Sequence, residues 1–163
     1  MKARAQEIGD HEDPRLQAAQ KRLRESAGPA DLLDAICEIV TNLLGCEEIG
    51  LFTLDRGSSR LFWSFGIDPK RHGSLDTVEV STLQRVLQGE FQVTQVHEGQ
   101  ANHVKRSLRV LVPIRVDERT VAVLVMFKLL PQKPDFDETD IKLAKLLSDE
   151  TGRALFGSAS ANA

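Results

Sequence analysis

At 163 residues, with 41% hydrophobic and 28% charged side chains, the chain has material for one domain with a sizeable core and a well-solvated surface. A formal charge of −3 argues against a general nucleic-acid binder, which carries a basic excess over a whole face. No apolar run reaches the roughly 18 residues that span a bilayer, and the opening MKARAQEIGDHEDPR lacks the apolar stretch of a secretion signal, so no membrane contact and a cytoplasmic location are expected.

In chain order, residues 1–13 are mixed in charge and poor in apolar groups, which predicts disorder. Asp13 followed by Pro14 reads as an N-cap and a first-turn proline, opening a short helix in 14–30. Leu16, Ala19 and Leu23 give that helix a thin apolar stripe before Gly28-Pro29 interrupts it. The stretch DLLDAICEIVTNLLG then carries Leu32, Leu33, Ile36, Ile39, Val40, Leu43 and Leu44 at spacings of three and four, closed by Gly45. Residues 49–54 and 61–67 read as two strands joined by DRGSSR.

STLQRVLQG reads as a short helix with a Ser81–Gln84 capping box, ended by Gly89, and a strand over 90–96 follows. RVLVPIRVDERTVAVLVMFKLL supplies two more strands hinged on Asp117-Glu118-Arg119. Their apolar residues do not alternate with polar ones, so both faces of the sheet must be covered. A last helix begins with Asp137 as cap, Phe136 stapled onto Ile141, and acids at the positive end of the dipole. The tail 157–163, GSASANA, reads as disordered. Tight connections favour an antiparallel sheet of five strands, with the helices beginning near Asp31 and Asp137 on one face and the Ser81 helix and loops on the other, an α+β fold.

Residues 31–156 resemble the GAF family of signalling modules. Four strings carry the likeness: DLLDAICEIVTNLLGCEEIGLFTLD, RVLQGEFQVT, RSLRVLVPIRVDERTVAVLVMF and FDETDIKLAKLLSDETGRAL. The resemblance implies a central antiparallel sheet of five to six strands, N- and C-terminal helices on one face, and a regulatory role in cytoplasmic signal transduction. Two features depart from the family pattern: Glu118 and Ala122 stand where the family has glycine, and the connection over 97–109 is short. In the family a longer connection lids the ligand pocket, so a reduced or absent pocket is expected, its sheet face filled by side chains such as Trp63, Phe65 and Phe91.

The candidate ligand-binding residues are accordingly Trp63, Phe65, Phe91, His103, Arg106 and Arg109. His97, Lys105, Lys70, Arg71 and His72 add charge to a basic rim that could hold a phosphate or carboxylate, such as a cyclic nucleotide. The plainer reading of that rim is a solvated loop. His97 and His103 have neither helical spacing nor a recognised acidic partner, so no metal and no cofactor are expected. Cys37 and Cys46 form no CxxC pair, which argues against a disulfide framework and a four-ligand zinc site. Cys37, among apolar helix positions, is expected to be buried, and Cys46, beyond Gly45, to be the more accessible thiol.

The last helix has apolar residues over a wider arc than one sheet face requires. A homodimer is therefore expected, joined through Leu16, Leu23, Leu143, Leu147 and Leu155; the alternative is packing of these residues within one chain. Three functions follow in order: a non-catalytic, homodimeric protein-interaction module with a signalling partner; a sensor of an anionic effector; and an enzyme similar to the family's free methionine sulfoxide reductases.

Overall fold

The structure is a computed structural model, and it describes residues 13–55, 58–70, 75, 78, 80–98, 105–127 and 137–157. Strands β1 (Ile49–Asp55), β2 (Ser58–Phe65), β3 (Gln92–Glu98), β4 (Lys105–Val116) and β5 (Arg119–Met126) form one sheet in the order β2-β1-β5-β4-β3. Every pairing is antiparallel. Ile49, Leu51, Val110, Val112, Ile114, Ala122, Leu124 and Met126 are buried on one side. Phe52, Leu111, Val123 and Val125 are buried on the other. The apolar runs of β1, β4 and β5 are thus oiled on both faces, as their lack of alternation predicts.

Among the described residues four α-helices flank the sheet: α1 (Pro14–Arg24), α2 (Pro29–Asn42), α3 (Val80–Leu87) and α4 (Glu138–Thr151). A π-helical turn over Gly152–Gly157 continues α4. The side chain of Asp13 accepts a bond from Arg15 N at 2.9 Å and Pro14 opens the first turn, so α1 starts where the capping argument puts it. Asp137 and Asp140 close a reciprocal capping box at α4, with bonds of 2.8 and 2.9 Å. Phe136, the proposed staple, lies outside the described residues.

Three local expectations are corrected. Helix α2 begins at Pro29, because a proline is accepted in the first turn where its missing N–H costs nothing. Helix α3 already includes Val80, so Ser81 stands inside it and forms no N-cap. Strand β3 starts at Gln92, because Glu90 N bonds back to Arg85 O at 3.0 Å and belongs to the closing turn of α3.

Helices α1, α2 and α4 share the helical side with one continuous core. Leu23, Leu143 and Leu147 are buried within this single chain, and Leu16 and Leu155 pack partly buried against the same core. For Leu23, Leu143 and Leu147 this is the alternative of packing within one chain: the surplus arc of α4 meets α1, which packs on α4 and α2. Charge guides that docking. Arg15 lies 3.5 Å from the buried Asp140, 3.9 Å from Asp137 and 3.3 Å from Asp13. Arg22 reaches Glu38 at 2.9 Å and Asp31 at 3.0 Å.

The hydrogen bond to the Arg15 backbone N–H, then the Arg15 guanidinium, lowers the carboxyl pKa of Asp13 below its ordinary 3.8. Arg22, followed by the N–H of Ala27, does the same for Asp31. A depressed carboxylate pKa contributes stability that is present above the unfolded value and lost as pH falls through the folded one. Acidification from pH 6 to about 3 should therefore lower the hydrogen-exchange protection factors of α1, taken against the intrinsic rate at each pH, before those of β4 and β5, whereas between about pH 6 and 8 these pairs should leave the protection of α1 unchanged.

Candidate functional site

The face of the sheet away from α1, α2 and α4 is the front. Phe52, Leu75, Val86, Leu111, Val123, Val125 and Phe127 form its buried cluster, with Leu54, Leu61, Ile67, Val78 and Leu83 packed around them. Helix α3 contributes Val86 and Leu83, and the hydroxyl of Thr120 on β5 donates to Val86 O at 3.4 Å, which ties the helix down. The rings of Phe52 and Phe127 meet edge to face, 6.2 Å between centroids. Phe127 also carries the guanidinium of Arg109, whose Cζ lies 5.4 Å from the ring centroid. Arg109 Nε is buried and has no hydrogen-bond partner among the described residues. Thr94, opposite on β3, donates its hydroxyl to Arg109 O at 3.5 Å.

Of the six candidate ligand residues, Arg109 is the one the described structure places on this face. Trp63 stands opposite Leu51 and Phe65 opposite Ile49, so both lie on the helical side. Trp63 and Phe91 pack against the helical-side core, and Phe65 is 45% exposed at the edge strand. The expectation that these three fill the front face is therefore corrected. A bulge between Leu51 and Phe52 pairs Phe52 with Leu61 and Leu51 with Trp63, so Leu61 points forward while Trp63, two positions later, points back. Arg106 pairs with His97 through the backbone, its side chain beyond what is described, and His103 lies outside the described residues.

Sequence reasoning missed Phe52 and Phe127 as front-face contributors. The signal was present in the parity of each strand: Phe52 alternates with Leu51, and Phe127 follows Met126. A separate polar recess of about 240 Å³ lies at the β1–β2 hairpin among Thr53, Asp55, Ser58, Ser59 and Arg60. Its hydroxyls are engaged with backbone: Thr53 donates to Arg60 O at 3.4 Å, Ser58 to Asp55 O at 2.8 Å, and Ser59 accepts from Leu75 N at 2.8 Å. Among the described residues no group of three or more His, Cys, Asp or Glu is placed to hold a metal ion.

The cysteines reverse their expected exposure. Cys46 is fully buried and its Sγ donates to Glu48 O at 3.4 Å. Past Gly45, at φ 74°, the chain turns back so that Cys46 N bonds Val40 O at 3.1 Å, which draws the side chain into the core. Cys37 is half-buried on α2, and burial pushes its thiol pKa up.

A family model described as "GAF domain" matches residues 26–155. The chain belongs to the GAF family. The family match begins after α1. Among solved structures, the chain is similar to the GAF domain of the Acinetobacter phosphoenolpyruvate-protein phosphotransferase, at 20% identity and TM-score 0.66, over 91% of this chain and 95% of that one. It is similar to the GAF domain of the Coxiella burnetii phosphoenolpyruvate-protein phosphotransferase, at 13% identity and TM-score 0.66, with the same coverage. A type II free methionine-R-sulfoxide reductase from Thermoplasma acidophilum shares the fold at 14% identity and TM-score 0.54, over 75% of this chain and 88% of that one. No curated protein matches the chain. None of the helices among the described residues is long and apolar enough to cross a membrane.

The two thiols of this GAF domain should be separable by reactivity. In the native protein Cys37 should react with an aromatic disulfide reagent first, and Cys46 about a hundredfold more slowly, at a rate that urea accelerates. Equal rates, or Cys46 reacting first, would contradict the placement of its sulfur in the core.

Proposed function

We propose that this GAF domain is a non-catalytic regulatory module of cytoplasmic signal transduction, with a reduced ligand pocket, which acts by binding a partner protein. The observation that carries this reading is the occupation of the front face by the chain's own side chains: Phe52, Leu75, Val86, Leu111, Val123 and Val125 are nearly or fully inaccessible there. A small-molecule site needs concave walls that bury most of its ligand, and side chains that already bury one another leave less room for that. A second copy of the chain is one such partner, met through residues other than Leu23, Leu143 and Leu147, which are spent inside one protomer.

The absence of catalysis is supported by the thiols. A reductase acting on free methionine sulfoxide, as the Thermoplasma relative is named, needs a sulfur that reaches its substrate. Cys46 is sealed in the core, and Cys37 lies on a helix of the opposite layer from the front face. A second reading rests on Arg109: a guanidinium stacked on Phe127, with Nε unpaired among the described residues, suits a small anionic effector at the rim of the front face.

Thermal melting with a panel of cyclic and linear nucleotides tests the two readings together. A ligand that binds only the folded form raises the melting temperature, by an amount set by RT ln(1 + [L]/Kd). The primary reading predicts shifts below about 1 °C for every compound at millimolar concentration. A saturable rise that disappears in Arg109→Ala would replace it with the anion-sensing reading. Turnover of free methionine sulfoxide above the level of a Cys37→Ser, Cys46→Ser double variant would contradict the absence of catalysis.

A further inference from the structure

Arg115, at the bulged end of β4, is gripped from both sides of the sheet. On the front its guanidinium lies across Gly89, the residue that closes α3, where a Cβ would sit 2.8 Å from Nη1 and 2.9 Å from Cζ. Its Nη2 donates to Glu118 O in the β4–β5 turn. Asp117 and Glu118 there hold φ values of 51° and 68°, left-handed values that cost a non-glycine residue energy, so this bond braces a strained turn. On the helical side the Arg115 carbonyl presses against Gly152, where a Cβ would overlap it.

Gly152 is where α4 gives way to the π-helical turn. Short π-helical segments within helices are uncommon and concentrate at functional positions. Two polar atoms in this column, Arg115 Nε and Thr151 Oγ1, are buried without a hydrogen-bond partner among the described residues. Thr151 is the last α-helical residue, so its orphaned hydroxyl sits at the change of register.

We propose that Arg115 couples the seating of α3 on the front of the sheet to the helical register of Gly152–Gly157 on the back. When α3 lifts, the guanidinium loses its bed against Gly89, the end of β4 relaxes, and its carbonyl withdraws from Gly152. The π-turn then takes α-helical register. That change rotates Leu155 and Phe156, which pack on the helical-side core, about the helix axis by roughly 100° for each residue of register. Coupling of this kind is reciprocal, so a change at Gly152 alters α3 by the same free energy. The device is independent of whether a protein or a small molecule bears on α3.

Hydrogen exchange read by mass spectrometry in a double-variant cycle tests the link. Thr120→Val, a near-isosteric change opposite Arg115 on β5, removes the hydroxyl that tethers Val86 O and loosens α3 while leaving the guanidinium fork in place; Gly89→Ala perturbs the other end of the link, the bed of Arg115 at the close of α3. Either should speed exchange of the amides at 153–157 by about fivefold or more while those of β1 stay unchanged. In an Arg115→Met background, which keeps the apolar stem and removes the fork, the same substitutions should change exchange at 153–157 by less than about twofold. Gly152→Ala should in turn alter exchange in α3. An undiminished effect in the Arg115→Met background, or altered exchange in α3 with none at 153–157, would overturn the proposal. Should Gly89→Ala fail to fold, the Thr120→Val cycle decides alone.

Discussion

The burial of both faces of β1, β4 and β5 is the constraint on which the molecule depends. Strands with apolar residues on successive positions cannot leave either side to water, and each large aliphatic side chain withdrawn from solvent contributes about 1.5–3 kcal/mol. The two sides are covered unequally. Three helices and a π-turn lie on one, while α3 and the described residues Leu75 and Val78 lie on the other. The front cover is the thinner layer, yet it is stocked with large residues, among them Phe52, Phe127 and Leu111. In this GAF domain these residues pack with Val86 of α3, and that packing is what supports the proposed role in partner binding.

The helical layer shows a different balance of forces. Helix α1 is polar along most of its length and buries mainly Ala19 and Leu23. Its position is set by Arg15 and Arg22, which reach carboxylates on α4 and α2. Exposed ion pairs contribute little each, typically below about 1 kcal/mol, so orientation is their larger contribution here. The pair between Arg15 and Asp140 differs, because Asp140 has no exposure and also closes the capping box of its own helix. That one carboxylate fixes the start of α4 and receives α1.

The order and type of the elements were legible in the sequence because they rest on local signals. Asp13-Pro14, the Asp137 cap and the spacing of Leu32, Ile36, Ile39 and Val40 each report one helix without reference to the rest of the chain. Which side of the sheet a residue occupies is not local. Trp63 and Leu61 are two positions apart and read as neighbours on one face, but the bulge opposite Leu51 and Phe52 separates them. Arg115 keeps the alternation of Leu111 and reaches α3, whereas the second bulge, opposite Ile114 and Arg115, leaves Val121 of β5 unpaired. Cys46 was misjudged for a related reason: its burial follows from the sharp return of the chain after Gly45, which a helix-end signal announces without giving its direction. The surplus apolar arc of α4 was read correctly from its spacing, and its partner proved to be α1 of the same chain.

The account stands on the claim that front and back of the central strands are equally part of the core. Leu111 and Leu124 test it, since they lie on adjacent strands, are both about 1% exposed, and face opposite sides. Urea denaturation of Leu111→Ala and Leu124→Ala should show each losing about 2–5 kcal/mol of stability, the range for emptying a packed leucine site. A loss below about 1 kcal/mol for Leu111→Ala alone would mean that the front face tolerates a vacancy as the wall of an open pocket does, and would contradict the account.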